Sequence, residues 1–239
     1  MSTKESRILF FDAIDELVGV SGHLYDLGDS GELPVSVVAY ADVPEVGITT
    51  SFSFGLSEAN HPEWVAGKPE LVLSVASRDE AWPICLGEIV RLNRGRVLFT
   101  YGSILHFHHS IEEGCPLTSF LLFAPELLES SMFVLEDRVV NVAQLYPIHE
   151  SEVSIIREIG ALRFFRDSEI CFEDIHRPAF AKLGACAEIR EFVDTGDDRR
   201  KPRGEPVQRS FRPEFPYRNR VDPNARRRAT PSARSAAAA

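Results

Sequence analysis

The sequence predicts an α+β domain: a mixed, largely antiparallel sheet covered by helices. Three observations carry this. Strand-like and helix-like segments interleave along residues 6–165 without a regular strand–helix–strand repeat. The stretch GITTSFSF at 47–54 alternates apolar and polar side chains, the period of a strand. The stretches SRILFFDAIDELV at 6–18 and DEAWPICLGEIVRL at 79–92 instead place apolar residues at helical spacing.

In chain order, the first helix puts Phe10, Ile14, Leu17 and Val18 on one face, with acids opposite. PVSVVAY at 34–40 reads as a strand. In GITTSFSF, Ile48, Phe52 and Phe54 point one way and Thr49, Ser51 and Ser53 the other, which predicts a half-buried strand. ELVLSVAS at 70–77 is another strand. The second helix has Trp82, Leu86, Ile89 and Val90 as its stripe, with Pro83 tolerated in the first turn. GRVLFTYGSIL at 95–105, TSFLLFA at 118–124, MFVLE at 132–136 and RVVNVAQLYPI at 138–148 are strand-like, with a turn at Asp137. Tyr146 precedes a proline and is therefore extended. A helix starts at His149 or Glu150, buries Val153, Ile156 and Ile159, and ends at Gly160. Glu150 and Glu152 fall in its first turn, where carboxylates meet the positive end of the helix dipole.

The 239 residues suffice for one domain with a sizeable core and an appendage. The boundary is read near Asp194, giving a domain over 1–194 and a tail over 195–239. The tail holds six of the 15 prolines, many arginines and few aliphatic residues, a composition expected to stay disordered. It carries 12 Arg and Lys against 5 Asp and Glu, a net charge of +7, so the remainder carries −17 of the overall −10. The acidic body is expected to repel nucleic acid. The tail, densest at Arg226–Arg228, is read as a solubilising extension, with binding of nucleic-acid phosphates or of an acidic protein surface as the alternative. No apolar run reaches the length of a membrane helix, and residues 1–18 mix acids into their apolar positions. The expectation is a cytoplasmic protein with reduced, mostly buried cysteines at 85, 115, 171 and 186.

Candidate chemistry is sparse. HFHH at 106–109 would put His106 and His108 on one face of a continuing strand, as two metal ligands require, with His109, Glu112, Glu113 and Cys115 nearby. It lacks the His-Glu-x-x-His spacing and a well-placed third ligand. GLSEA at 55–59 approaches the serine nucleophile elbow, but Pro62 opposes the helix that must follow. Asp12, Asp15 and Glu16 lie on the polar face of the first helix. No phosphate-binding glycine loop occurs. No catalytic residue and no cofactor are assigned; a metal-dependent or hydrolytic enzyme built on His106, His108 and His109 is the alternative.

Three stretches together resemble the Suppressor of fused-like domain: ITTSFSFGLSEA at 48–59, KPELVLSVAS at 68–77, and VVNVAQLYPIHESEVSIIREIGALRFF at 139–165. The likeness covers residues 35–180. It implies a protein-binding module without a cofactor, in which Pro147, Ile148 and Glu152 form a structural strand-to-helix junction. With one domain and a tail, the chain resembles the bacterial single-domain type, which implies an immunity protein that neutralises a toxin. A body of −17 suits a basic toxin domain as partner. The loop GLSEANHPEWVAGKP at 55–69 is the expected interface, with Trp64 as aromatic anchor flanked by Glu58 and Glu63.

Overall fold

The computed structural model describes residues 2–180 apart from 29–33, 66, 129, 137 and 169. The expected boundary at 194, the tail, Cys186 and the turn at Asp137 lie outside the described residues.

The elements among the described residues are, in chain order, α1 (Thr3–Val18), β1 (His23–Leu27), β2 (Val35–Ala41), β3 (Thr49–Phe54), β4 (Lys68–Val75), α2 (Ala81–Asn93), β5 (Ile104–His106), β6 (Ser119–Phe123), β7 (Met132–Val134), β8 (Val139–Ile148), α3 (Glu150–Ile159) and α4 (Ala161–Ser168). The strands form one sheet in the order β1-β2-β3-β4-β8-β6-β5. All its pairings are antiparallel except the central β4–β8 pair, so the sheet is mixed and largely antiparallel, an α+β architecture. β8 gives one edge to β4 and the other to β7 and then β6. The β4 pairing ends at Leu145, short of Pro147, which has no N–H to give.

Side-chain alternation sorts the core onto the two faces. Leu71, Leu73, Val75, Ala143 and Leu145 pack with Trp82, Cys85, Leu86, Ile89 and Val90 of α2. Val72, Val140 and Val142 pack on the other face with Phe10, Phe11 and Ile14 of α1. Farther along β8, Tyr146 and Ile148 meet Val153, Ile156 and Phe164 of α3 and α4. α1 starts with a reciprocal cap: Ser2 Oγ accepts from Glu5 N at 3.3 Å, and Glu5 Oε2 accepts from Ser2 N at 2.8 Å.

Three sequence expectations are corrected. β3 is buried on both faces rather than half-exposed. Its short hydroxyls find internal partners: Thr49 donates to the Ser77 carbonyl, Thr50 to that of Val43, and Ser53 to Glu70. The strand expected over 95–105 is reduced to Ile104–His106, because the chain turns through 94–103 with Phe99 at φ +55°. In α1 the buried face is Ser6, Phe10, Phe11 and Ile14, while Leu17 is left exposed beside an open groove.

The strand-to-helix junction is held by a buried ion pair. Pro147 and Ile148 end β8, His149 caps α3, and Glu152 stands in the first turn. Its carboxylate is fully buried and takes Arg177 in two-point fashion, Nη1 to Oε1 at 2.6 Å and Nη2 to Oε2 at 2.7 Å. It also accepts from His149 N at 2.9 Å and Phe180 N at 2.8 Å. Burial alone would push the Glu152 carboxyl up; the Arg177 pair and the two backbone donors outweigh it and hold the group below the usual carboxylate range. Arg177 donates further to the Pro147 carbonyl at 3.0 Å and lies over the Phe172 ring. The helix dipole therefore accounts for only part of why Glu152 stands there.

Candidate interaction site

The stretch from Gly55 to Gly67 leaves the end of β3 and returns at the start of β4. Both glycines are required by geometry. Gly55 has φ +131°, and a Cβ there would lie 2.8 Å from the Pro34 carbonyl oxygen. Gly67 has φ +144°, and a Cβ would meet Asn141 Nδ2 at 2.4 Å.

Glu70 fastens the turn from below. It is fully buried, and its carboxylate accepts from Ser53 Oγ at 2.7 Å, Gly55 N at 2.8 Å, Ser57 N at 2.9 Å and Ser57 Oγ at 2.7 Å. No Lys or Arg among the described residues forms an ion pair with it. Burial dominates and raises its pKa against the opposing pull of the four donors. Arg138, at the entry to β8, fastens the turn from the side. Its Nη1 donates to the Ser57 carbonyl at 3.0 Å, and its Nη2 donates to Ser6 Oγ at 3.0 Å and lies 2.7 Å from Glu58 Oε1. Thr3 Oγ1 of α1 donates to Glu58 Oε2 at 2.7 Å.

The turn presents a short loop. Lys68 Nζ donates to the Ala59 carbonyl and to Asn60 Oδ1, each at 2.9 Å. Trp64 is half-buried: its ring packs on the α2-side core and against His61, and its Nε1 donates to the Leu98 carbonyl at 3.0 Å. Beside it Glu63 is exposed and Val65 is 91% exposed. The three expected contact residues thus occupy different settings. Glu63 and Trp64 are adjacent and reachable; the Glu58 side chain is only 8% exposed, its carboxylate committed to Arg138 and Thr3.

The other candidates are dispersed. Ser57 of the elbow-like GLSEA stretch is fully buried, donates to Glu70 and starts no helix, so it cannot reach a substrate. The strand expected to carry His106 and His108 ends at His106, and His108 adopts φ +61°. The two rings stack with centroids 5.3 Å apart, while His109 lies edge-on to Phe107. His106 Nδ1 lies 3.1 Å from Ser119 Oγ and 3.2 Å from Glu150 Oε2, and Ser119 Oγ donates to Glu150 at 2.8 Å. A nucleophilic relay needs serine and acid on opposite ring nitrogens; here both meet one. The serine bond holds the exposed Glu150 carboxyl below its usual range, with His106 adding to it. Glu112 is occupied by Trp82 Nε1 and Ser77 Oγ, and the buried Cys115 thiol faces the Ile175 carbonyl. Among the described residues no three His, Cys, Asp or Glu side chains converge as metal ligands. Asp15 accepts from Tyr40 Oη at 2.5 Å, while Asp12 and Glu16 are exposed. Cys85 and Cys115 are buried free thiols and Cys171 is exposed.

Sequence reasoning missed Glu70, Arg138 and Arg177. Glu70 left a signal: a carboxylate opening the otherwise apolar strand ELVLSV. Arg138 and Arg177 left none, since their partners lie far away in sequence.

The model of the family described as Suppressor of fused protein (SUFU) matches residues 31–178, and the chain belongs to that family. A protein described as a SUFU homologue from Neisseria gonorrhoeae FA 1090 superposes with a TM-score of 0.61 at 14% identity, over 76% of this chain and 100% of that one. A chain of the Sufu–Fu complex gives 0.59 at 13%, over 80% and 98%. Drosophila Suppressor of Fused gives 0.57 at 14% over 76% of this chain, which spans 52% of that protein. At such identities these likenesses concern the fold. No curated protein matches the chain by sequence.

Proposed function

We propose that this chain is a non-enzymatic protein-binding domain, an immunity-type inhibitor that acts in the cytoplasm on a basic toxin domain, with the Gly55–Gly67 loop as its contact surface. The observation that carries this reading is the mounting of the loop. A turn clamped by Glu70 and Arg138 carries the loop, and the Trp64 ring is seated on the core with its Nε1 on the Leu98 carbonyl, beside exposed Glu63 and Val65. A preformed aromatic anchor with an apolar and an acidic neighbour loses little entropy on binding.

Two further observations support it. One of the similar folds is a chain of a Sufu–Fu complex, a protein–protein assembly. The acidic body favours steered association with a basic partner. In this reading Glu58 braces the loop from within, and Glu63 and Trp64 make the contact. The test is capture of partners on the tagged full chain in its native cell, beside the same chain carrying Trp64→Ala and Glu63→Lys. A basic protein retained at stoichiometry by the first and lost by the second supports the proposal. A partner retained equally by both contradicts the loop assignment.

A further inference from the structure

A groove of about 480 Å³ opens where α1 ends, well separated along the strands from the Gly55–Gly67 loop. Its walls are aliphatic: Leu17 and Val20 from the end of α1 and the following turn, Ala41, Val43 and Pro44 from the β2–β3 hairpin, and Leu127. Leu17 and Val20 are 53% and 51% exposed, so two large apolar side chains stand in water at one opening.

The hairpin wall is fixed in place. Asp42 adopts φ +61°, a conformation its short polar side chain tolerates, and its Oδ1 accepts from Gly47 N at 2.8 Å and Arg78 Nη2 at 2.5 Å. Val43 N donates to the Ile48 carbonyl, and Thr50 Oγ1 to the Val43 carbonyl. This wall therefore does not have to form when something enters the groove.

Acidic residues stand beside its lining residues in the chain. The chain neighbours of Leu17, Pro44 and Leu127 are Glu16, Glu45 and Glu126, all exposed. Asp42 is on the wall itself, and the nearby cation Arg78 is paired with it. An aliphatic slot with an acidic rim selects an occupant with aliphatic side chains between positive ones.

We infer that this groove is a second docking surface, which takes a basic segment of a protein partner by one or two aliphatic side chains. The inference rests on the protein-binding reading for the class of occupant, but on a different face from the Trp64 loop.

The test uses the full chain, isotopically labelled for amide NMR, and two fluorescein-labelled heptapeptides: lysine alternating with leucine, and glutamate alternating with leucine. The lysine peptide should shift amides of 17–20 and 41–47 and the glutamate peptide should not. The Leu17→Lys, Val20→Lys chain should bind the lysine peptide at least about tenfold more weakly by anisotropy. Should that chain fold poorly, Glu16→Lys with Glu45→Lys, both exposed, should weaken binding similarly. Equal shifts with both peptides, shifts confined to other regions, or undiminished binding by the charge-reversed chain would overturn the inference, as would saturation of these amides by self-association of the chain. Trp64→Ala should leave the groove shifts intact, so the loop reading and this one can fail separately.

Discussion

The Glu152 carboxylate and the Arg177 guanidinium meet inside the core, 0% and 4% exposed at the side chain, through contacts of 2.6 and 2.7 Å. The pair ties the segment that follows α4 to the first turn of α3 and, through the Pro147 carbonyl, to the end of β8. Removing one partner strands the other charge. Arg177→Met should cost about 3–5 kcal/mol in urea unfolding, whereas Glu152→Gln combined with Arg177→Met, which removes the stranded charge and keeps an acceptor for the backbone donors, should cost less than that single change. A double variant as unstable as the sum of the singles would show that the residues act independently.

Stability should respond to pH in opposite senses at the two buried carboxylates. Glu152 is held below its unfolded value of about 4.3, so its contribution is present above that pH and is lost as pH falls through the lower native pKa. Glu70 is raised, so its contribution is present below about pH 4.3 and is lost as pH rises through the higher native pKa. Relative to wild type, Glu70→Gln should gain stability as pH rises above about 4, while the deficit of Glu152→Gln should shrink as pH drops below about 4. Denaturant midpoints across this range check both signs.

Glu70 serves the loop through its acceptors. Glu70→Gln keeps an oxygen for Gly55 N and Ser57 N and should leave the turn intact. Glu70→Leu strands those buried donors and should cost at least about 1–3 kcal/mol. It should also accelerate amide exchange at Gly55 and Ser57, which hydrogen-exchange NMR reads directly.

The stacked His106 and His108 make a separate prediction. With one ring nitrogen of His106 already between Ser119 and Glu150, and no third ligand converging among the described residues, zinc should add little stability. A tenfold molar excess should move Tm by less than about 1 °C, since tight binding to the folded state alone would raise it by several degrees. A larger, saturable shift abolished by His106→Ala would reopen the metal reading.

The first three helices and the central strands were legible because their apolar spacing is local: Trp82, Leu86, Ile89 and Val90 announce α2, and Val153 and Ile156 announce α3, whereas α4 was not read. Burial of β3 was not, because Ser and Thr read as solvent-facing although Ser53, Thr49 and Thr50 satisfy their hydroxyls internally. The segment at 95–103 has strand-like residues but no partner strand, and pairing is not a local property. At the candidate site, Trp64 and Glu63 could be picked out by type. That Glu58 is taken up by Arg138, 80 residues away by number, could not. The same holds for Arg138 on the Ser57 carbonyl, a separation of 81.

In the proposed function the clamped loop binds a basic protein. The most direct measurement is isothermal titration of the captured partner into the full chain, wild type and Glu63→Lys, at low and physiological salt. Affinity should weaken with salt and fall at least about tenfold on charge reversal, with Trp64→Ala costing about 2 kcal/mol or more. Affinity indifferent to salt, to Glu63→Lys and to Trp64→Ala would contradict it.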